Sequence, residues 1–138
     1  MMYREFKEMK QKEFNALPTM FAFSKKQLEE QMEKLGTNKS EIVNLGYGMF
    51  MREKDLYLLD AFEGKYEAMK NQLMENDEFL LDAFLYELRN HEYIITREVD
   101  DALSVFDLTV DDVMKDDRML VAINKAIAII EKEDSCYC

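Results

Sequence analysis

One stretch constrains the fold more than any other: "NDEFLLDAFLYELRNHEY", residues 76–93. Phe79, Leu80, Leu81, Ala83, Phe84, Leu85, Tyr86 and Leu88 cover most of a helical circumference, leaving Glu78, Asp82 and Arg89 as a narrow polar strip. A helix apolar nearly all round has to be surrounded by other elements, so this segment is expected at the centre of its fold. The chain has only 138 residues, enough for one domain with a real core and no staples. One proline and four glycines offer few interruptions and favour helix. Apolar residues make up 48% of the chain, which argues against global disorder.

The neighbouring segments supply what that helix needs. Tyr3, Phe6, Met9, Phe14 and Leu17 fall near one face of a helix over 3–17, which Pro18 stops. "TMFAF" reads as a short strand. Ser24 is a good N-cap for "KKQLEEQMEKL" and Gly36 a good C-terminal stop; the thin stripe of Leu28, Met32 and Leu35 places that helix at the surface. "EIVNLGYGMFMRE" predicts a hairpin with a turn or bulge at Gly46-Tyr47-Gly48, where glycine permits positive φ. A phosphate-cradling loop would need a helix after those glycines, and a strand-like run follows instead.

A long helix over about 55–75 keeps the 3.6 period through Leu58, Leu59, Phe62, Tyr66, Met69 and Leu73, with Gly64 marking a kink or a close approach. Asp77 is expected to cap the central helix, and "YIIT" to form a further strand. Thr96 is expected to cap a helix over 97–106. Thr109 and Asp112 have the spacing of a capping box. A last helix over 117–133 carries Leu120, Ile123, Ile127 and Ile130 on one side. The predicted class is α+β: a mostly helical single domain, residues 1–138, with a small antiparallel sheet of three or four short strands.

The lone histidine sits at the end of the central helix, in His91-Glu92. A zinc-protease signature needs a second histidine four residues on, and that position is Ile95. Glu87, His91 and Glu92 could share a metal only if further acids converged on them, so a structural helix-end histidine is the leading reading. No serine sits in a nucleophile elbow. The acidic pairs Asp100-Asp101, Asp111-Asp112 and Asp116-Asp117 suit helix first turns, where the dipole favours them. Cys136 and Cys138 alone are a poor metal site and read as a frayed tail. No catalytic residue, metal or cofactor is expected. The chain opens on charged residues without an apolar run, and "MLVAINKAIAII" is too short to cross a bilayer. A cytoplasmic location in a bacterial host cell is expected.

Charge distribution is the most informative functional feature. The net charge is −11, and residues 76–112 carry 11 acidic against 2 basic groups. Direct nucleic-acid binding needs clustered Lys and Arg, and is excluded on this reading. Apolar side chains of the same stretch must face inward, so its carboxylates are expected to crowd onto the outer surface. Such a surface attracts basic ones. Glu78, Asp82, Glu98, Asp100, Asp101, Asp107, Asp111 and Asp112 are the candidate partner contacts. The alternatives are a metal-dependent enzyme centred on His91 and an oligomeric or structural component using Met49-Phe50-Met51 as an apolar contact.

Two stretches, "FAFSKKQLEEQMEKLG" (residues 21–36) and "FLYELRNHEYIITREVDDAL" (residues 84–103), resemble small uncharacterised proteins encoded on phages and mobile elements of gut Firmicutes. The resemblance spans most of the chain, and no catalytic or binding residue is carried over from it. It implies a mobile-element setting, in which small acidic proteins inhibit host defence machinery. Some inhibitors of RNA-guided nucleases mimic nucleic acid with carboxylates, so an anti-CRISPR-like inhibitor of a basic, nucleic-acid-binding nuclease is the expectation.

Overall fold

The computed structural model describes residues 1–135, and Cys136 and Cys138 lie outside them. The fold is α+β, mostly helical, with one small antiparallel sheet. In chain order the elements are α1 (Tyr3–Asn15), β1 (Thr19–Phe21), α2 (Lys25–Leu35), β2 (Ile42–Gly46), β3 (Met49–Arg52), α3 (Leu56–Leu73), α4 (Asp77–Asn90), α5 (Tyr93–Thr96), α6 (Asp100–Ser104), α7 (Val110–Met114) and α8 (Asp117–Ser135). The chain divides into two compact units, Met9–Ala68 and a second made of Met1–Glu8 with the residues from Met69 on. The boundaries fall inside α1 and α3.

The unit spanning 9–68 holds the sheet, in the order β1–β3–β2. Thr19 pairs with Met51 and Val43 pairs with Met51 from the other side, so β3 is the central strand. The register slips between Asn44 and Gly46, a bulge in which the Asn44 side chain accepts from the Gly46 N–H at 2.8 Å. Tyr47 and Gly48 make the turn with φ of 53° and 78°. The positive φ of Gly48 favours glycine, and a Cβ there would lie 2.6 Å from the exposed Phe23 ring. Met20 and Met51 are fully buried, while Phe14 sits 5.8 Å from Phe62, and Phe62 4.9 Å from Tyr66, between ring centroids. Helix α2 begins where the Ser24 side chain accepts from the Gln27 N–H and ends on left-handed Gly36. It buries no residue, in keeping with its thin apolar stripe.

The other unit is built on α4. Phe79, Leu80, Ala83, Phe84, Glu87 and Leu88 are buried on it, and it packs along α8, which buries Ala122, Ile123, Ala126 and Ile130. Aromatic rings fill one end: Tyr3 meets Phe79 at 5.8 Å and Phe106 at 5.6 Å, and Phe84 meets Phe106 edge-on at 5.6 Å. Edge-on pairs of this kind add about 0.5–1.5 kcal/mol each beyond the area they bury.

Several local expectations are corrected. "YIIT" is not a strand but the single helical turn α5, entered through left-handed Glu92 and left through left-handed Arg97. The sheet therefore has three strands. Asn76, not Asp77, caps α4: its side chain accepts from the Phe79 N–H at 2.9 Å, and Asp77 becomes the first helical residue. Thr96 caps no helix; its hydroxyl accepts from the Glu98 N–H, and α6 starts four residues later. The Thr109–Asp112 capping box forms as predicted. Helical Gly64 has nothing within 4 Å of a Cβ position, so no close approach requires it.

Candidate functional site

Two features of the unit built on α4 carry chemistry: an acidic surface and a buried carboxylate. The first follows from the elements just described. Helices α6 and α7 are a turn or so long, and each begins with an acidic pair, Asp100-Asp101 and Asp111-Asp112, at the dipole-favoured end. Glu78 does the same for α4. Because Ala102, Leu103, Phe106 and Val113 turn inward, the acids between them turn out. Glu78, Glu98, Asp100, Asp101, Asp107, Asp111 and Asp112 are all exposed.

Asp82 is different. It is half-buried, and its Oδ2 accepts from the backbone N–H of Tyr3 at 2.9 Å, so it anchors the start of α1. Two of the exposed acids are also engaged. Asp112 accepts from the Thr109 N–H at 2.9 Å, and with the Thr109 hydroxyl this holds its carboxyl below the ordinary aspartate range. Asp107 lies 3.8 Å from the Lys70 ammonium. Among the described residues, no ion pair is formed by Glu78, Glu98, Asp100, Asp101 or Asp111. The basic groups of this unit are committed elsewhere in several cases: Arg89 to Glu133, Arg97 to Glu131, and Arg118 to Asp77.

The buried carboxylate is Glu87, only 1% exposed. It sits on α4 at the helical spacing of Ala83 and Phe84, so the backbone drives it into the core. Its Oε2 accepts from the Tyr3 hydroxyl at 2.8 Å and from the Lys7 ammonium at 3.3 Å. Tyr3 and Lys7 lie one turn apart on α1, and the same ammonium stands 4.8 Å from the Tyr86 ring centroid and 5.5 Å from that of Tyr3. The two rings meet at 5.4 Å and 66°. Burial, and then the bond to Glu87, push the Tyr3 phenol far above its ordinary range. The other oxygen, Oε1, is buried and has no hydrogen-bond partner among the described residues.

This arrangement was not foreseen from sequence, although Glu87 interrupts the buried face of an otherwise apolar helix. The grouping of Glu87, His91 and Glu92 is not assembled. Glu87 is bonded to Tyr3 and Lys7, His91 ends α4 with its N–H on the Glu87 carbonyl, and no group of three or more potential metal ligands exists among the described residues. The Met49-Phe50-Met51 contact surface is not open either. Met51 is fully buried and Met49 and Phe50 are half-buried, while Phe21, Phe23, Tyr47 and Tyr57 are exposed in the same unit.

Fold and site together define a small α+β protein with an exposed set of acids and a buried glutamate, Glu87, bonded to its N-terminal helix. The chain belongs to a family of unknown function, DUF7659, whose model matches residues 2–128. No curated protein and no solved structure matches it. No described helix is long and apolar enough to cross a membrane.

Proposed function

We propose that the protein is a non-catalytic interaction protein that docks, through the acidic surface between Glu78 and Asp112, on a basic groove of a nucleic-acid-binding protein. The carboxylates occupy places meant for phosphates, so the mechanism is competition with nucleic acid. One observation carries the reading: Glu78, Glu98, Asp100, Asp101 and Asp111 are exposed and have no ion-pair partner among the described residues. Carboxylates without partners keep their field for an incoming cation and speed encounter with a basic surface. The resemblance to phage and mobile-element proteins supports a cytoplasmic setting in a bacterial host and a defence nuclease as the target, in the manner of an anti-CRISPR protein.

The test is affinity capture from a bacterial lysate carrying RNA-guided defence nucleases. The bait is either the wild type or a variant with those five groups changed to amides: E78Q, E98Q, D100N, D101N and D111N. A nucleic-acid-binding partner retained at low salt, released at high salt and missed by the amide variant is the expected result. Exposed charges are screened beyond about 8 Å at physiological ionic strength, which is why salt should release it. Capture unaffected by salt or by the amide substitutions overturns the reading.

A further inference from the structure

We propose that Tyr3, Tyr86 and Glu87 form a binding site for a guanidinium group, with an arginine side chain of a partner as its ligand and Lys7 as its resident stand-in. The cluster has the parts that cation recognition needs: two aromatic rings in edge contact at 66° and a carboxylate that accepts from the hydroxyl of one of them. A cation already stands there, since the Lys7 ammonium is 4.8 Å from one ring centroid, 5.5 Å from the other and 3.3 Å from Oε2.

Lysine fills this place incompletely. An ammonium is a compact point charge, and from α1 it reaches only one carboxylate oxygen. Oε1 remains buried without a donor among the described residues, a situation that costs free energy in any interior. A guanidinium differs in the respect that matters. Its planar fork offers two parallel N–H groups matched to the two oxygens of one carboxylate, and its flat face stacks on tyrosine. An incoming arginine would satisfy Oε1 and keep Oε2 occupied. The Lys7 side chain is 38% exposed, so it can swing out into water, and Tyr86 is partly exposed at the rim. The neighbouring Asp82, held by the Tyr3 N–H, adds negative charge close to the same turn of α1. The proposal rests on the basic-partner reading for the source of the arginine, but not for the chemistry of the cluster.

The experiment titrates N-acetyl-arginine amide into the full chain and follows the ring signals of Tyr3 and Tyr86 by NMR. In wild type the tethered Lys7 competes at high effective concentration, so binding is weak. In Lys7→Ala the site opens, and saturable shifts at both rings are expected with affinity on the order of tenfold or more above wild type. N-acetyl-lysine amide should bind the variant more weakly than the arginine probe, and Tyr86→Leu should abolish the response. If folded Lys7→Ala shows no saturable shift, responds equally to the lysine probe, or keeps its response without Tyr86, the proposal is overturned. Should Lys7→Ala not fold, Lys7→Gln retains a neutral donor to Glu87 and is scored identically; should that fail too, wild type against Tyr86→Leu at higher probe concentration decides. Salt-sensitive capture by the five outer carboxylates is a separate measurement, so either idea can fall alone.

Discussion

The two units spend similar lengths of chain very differently. Residues 9–68 carry 9 basic and 10 acidic groups, nearly balanced, whereas the rest carries 9 basic and 19 acidic groups. Yet among the described residues the acidic unit holds seventeen of the twenty-three buried ones, against six in the other. Much of that core comes from α4 and α8, which bury Phe79, Leu80, Phe84 and Leu88 on one helix and Ala122, Ile123, Ala126 and Ile130 on the other. The surface left over is strongly acidic, although Ile95, Met114 and Val121 are also exposed on it. In the balanced unit, a three-stranded sheet and a surface helix bury little and leave Phe23 82% and Tyr47 fully exposed. A surface with so large an excess of one charge needs a well-packed interior beneath it, since self-repulsion works against the compact state.

The sharpest challenge to this contrast is truncation of the two interiors. Phe84→Ala removes a ring that is 1% exposed and edge-on to Phe106, and should cost about 3–5 kcal/mol in chemical denaturation. Leu28→Ala, on a helix with no buried residue, should cost about 1 kcal/mol or less. Comparable losses would mean that the interior is not concentrated where burial puts it.

A smaller effect is expected at the hairpin turn. Gly48→Ala forces a side chain onto a backbone with φ of 78° and into the Phe23 ring. The exposed ring can swing aside but the backbone cannot, so the cost should be about 1–2 kcal/mol. Thermal unfolding would read it. An unchanged midpoint would show that the turn tolerates another geometry.

In the acidic unit the capping box gives an intermediate test with a pH signature. Thr109→Ala should cost about 1 kcal/mol. Asp112→Ala probes the charge itself. The Asp112 carboxyl is held below its ordinary value by the Thr109 N–H and hydroxyl, so its contribution is present above the unfolded-state value of 3.8 and is lost as pH falls through the lower folded value. The stability gap between wild type and Asp112→Ala should therefore close on acidification below pH 3.8 and stay constant above pH 6. A gap independent of pH would show that the carboxylate is not what the box uses.

Legibility in the sequence followed the range of the interactions. Ser24, Gly36 and the Thr109–Asp112 box act within one turn of chain, and each formed where its spacing placed it. The hairpin was legible because glycines at Gly46 and Gly48 mark the backbone reversal regardless of what surrounds it. "YIIT" misleads because strand preference is chiefly a preference for a pleated, half-buried surface. Here the carbonyls of Glu92 and Tyr93 instead accept from the N–H groups of Ile95, Thr96 and Arg97, closing a turn. The outward direction of most candidate acids could be reasoned from the apolar pattern around them. The Asp82 contact to the Tyr3 N–H could not, nor could the Tyr3–Lys7–Glu87 cluster. These partners are about 80 residues apart in sequence, and local periodicity carries no information at that distance.

The gentlest probe of the contrast is Gly64→Ala, in the middle of α3 on the balanced side. Its φ is not in the left-handed region and a Cβ there meets nothing within 4 Å, so neither strain nor crowding opposes a methyl group. Alanine also has less freedom to lose on folding than glycine. The substitution should stabilise the protein by about 0.5–1 kcal/mol, read as a raised denaturation midpoint with an unchanged slope. The sign is what matters. If the less buried unit is held mainly by local backbone preferences, it should respond to a change that adds no contact at all. A loss of stability instead would mean that Gly64 serves a backbone approach, and that this half of the chain is more tightly constrained than its sparse interior suggests.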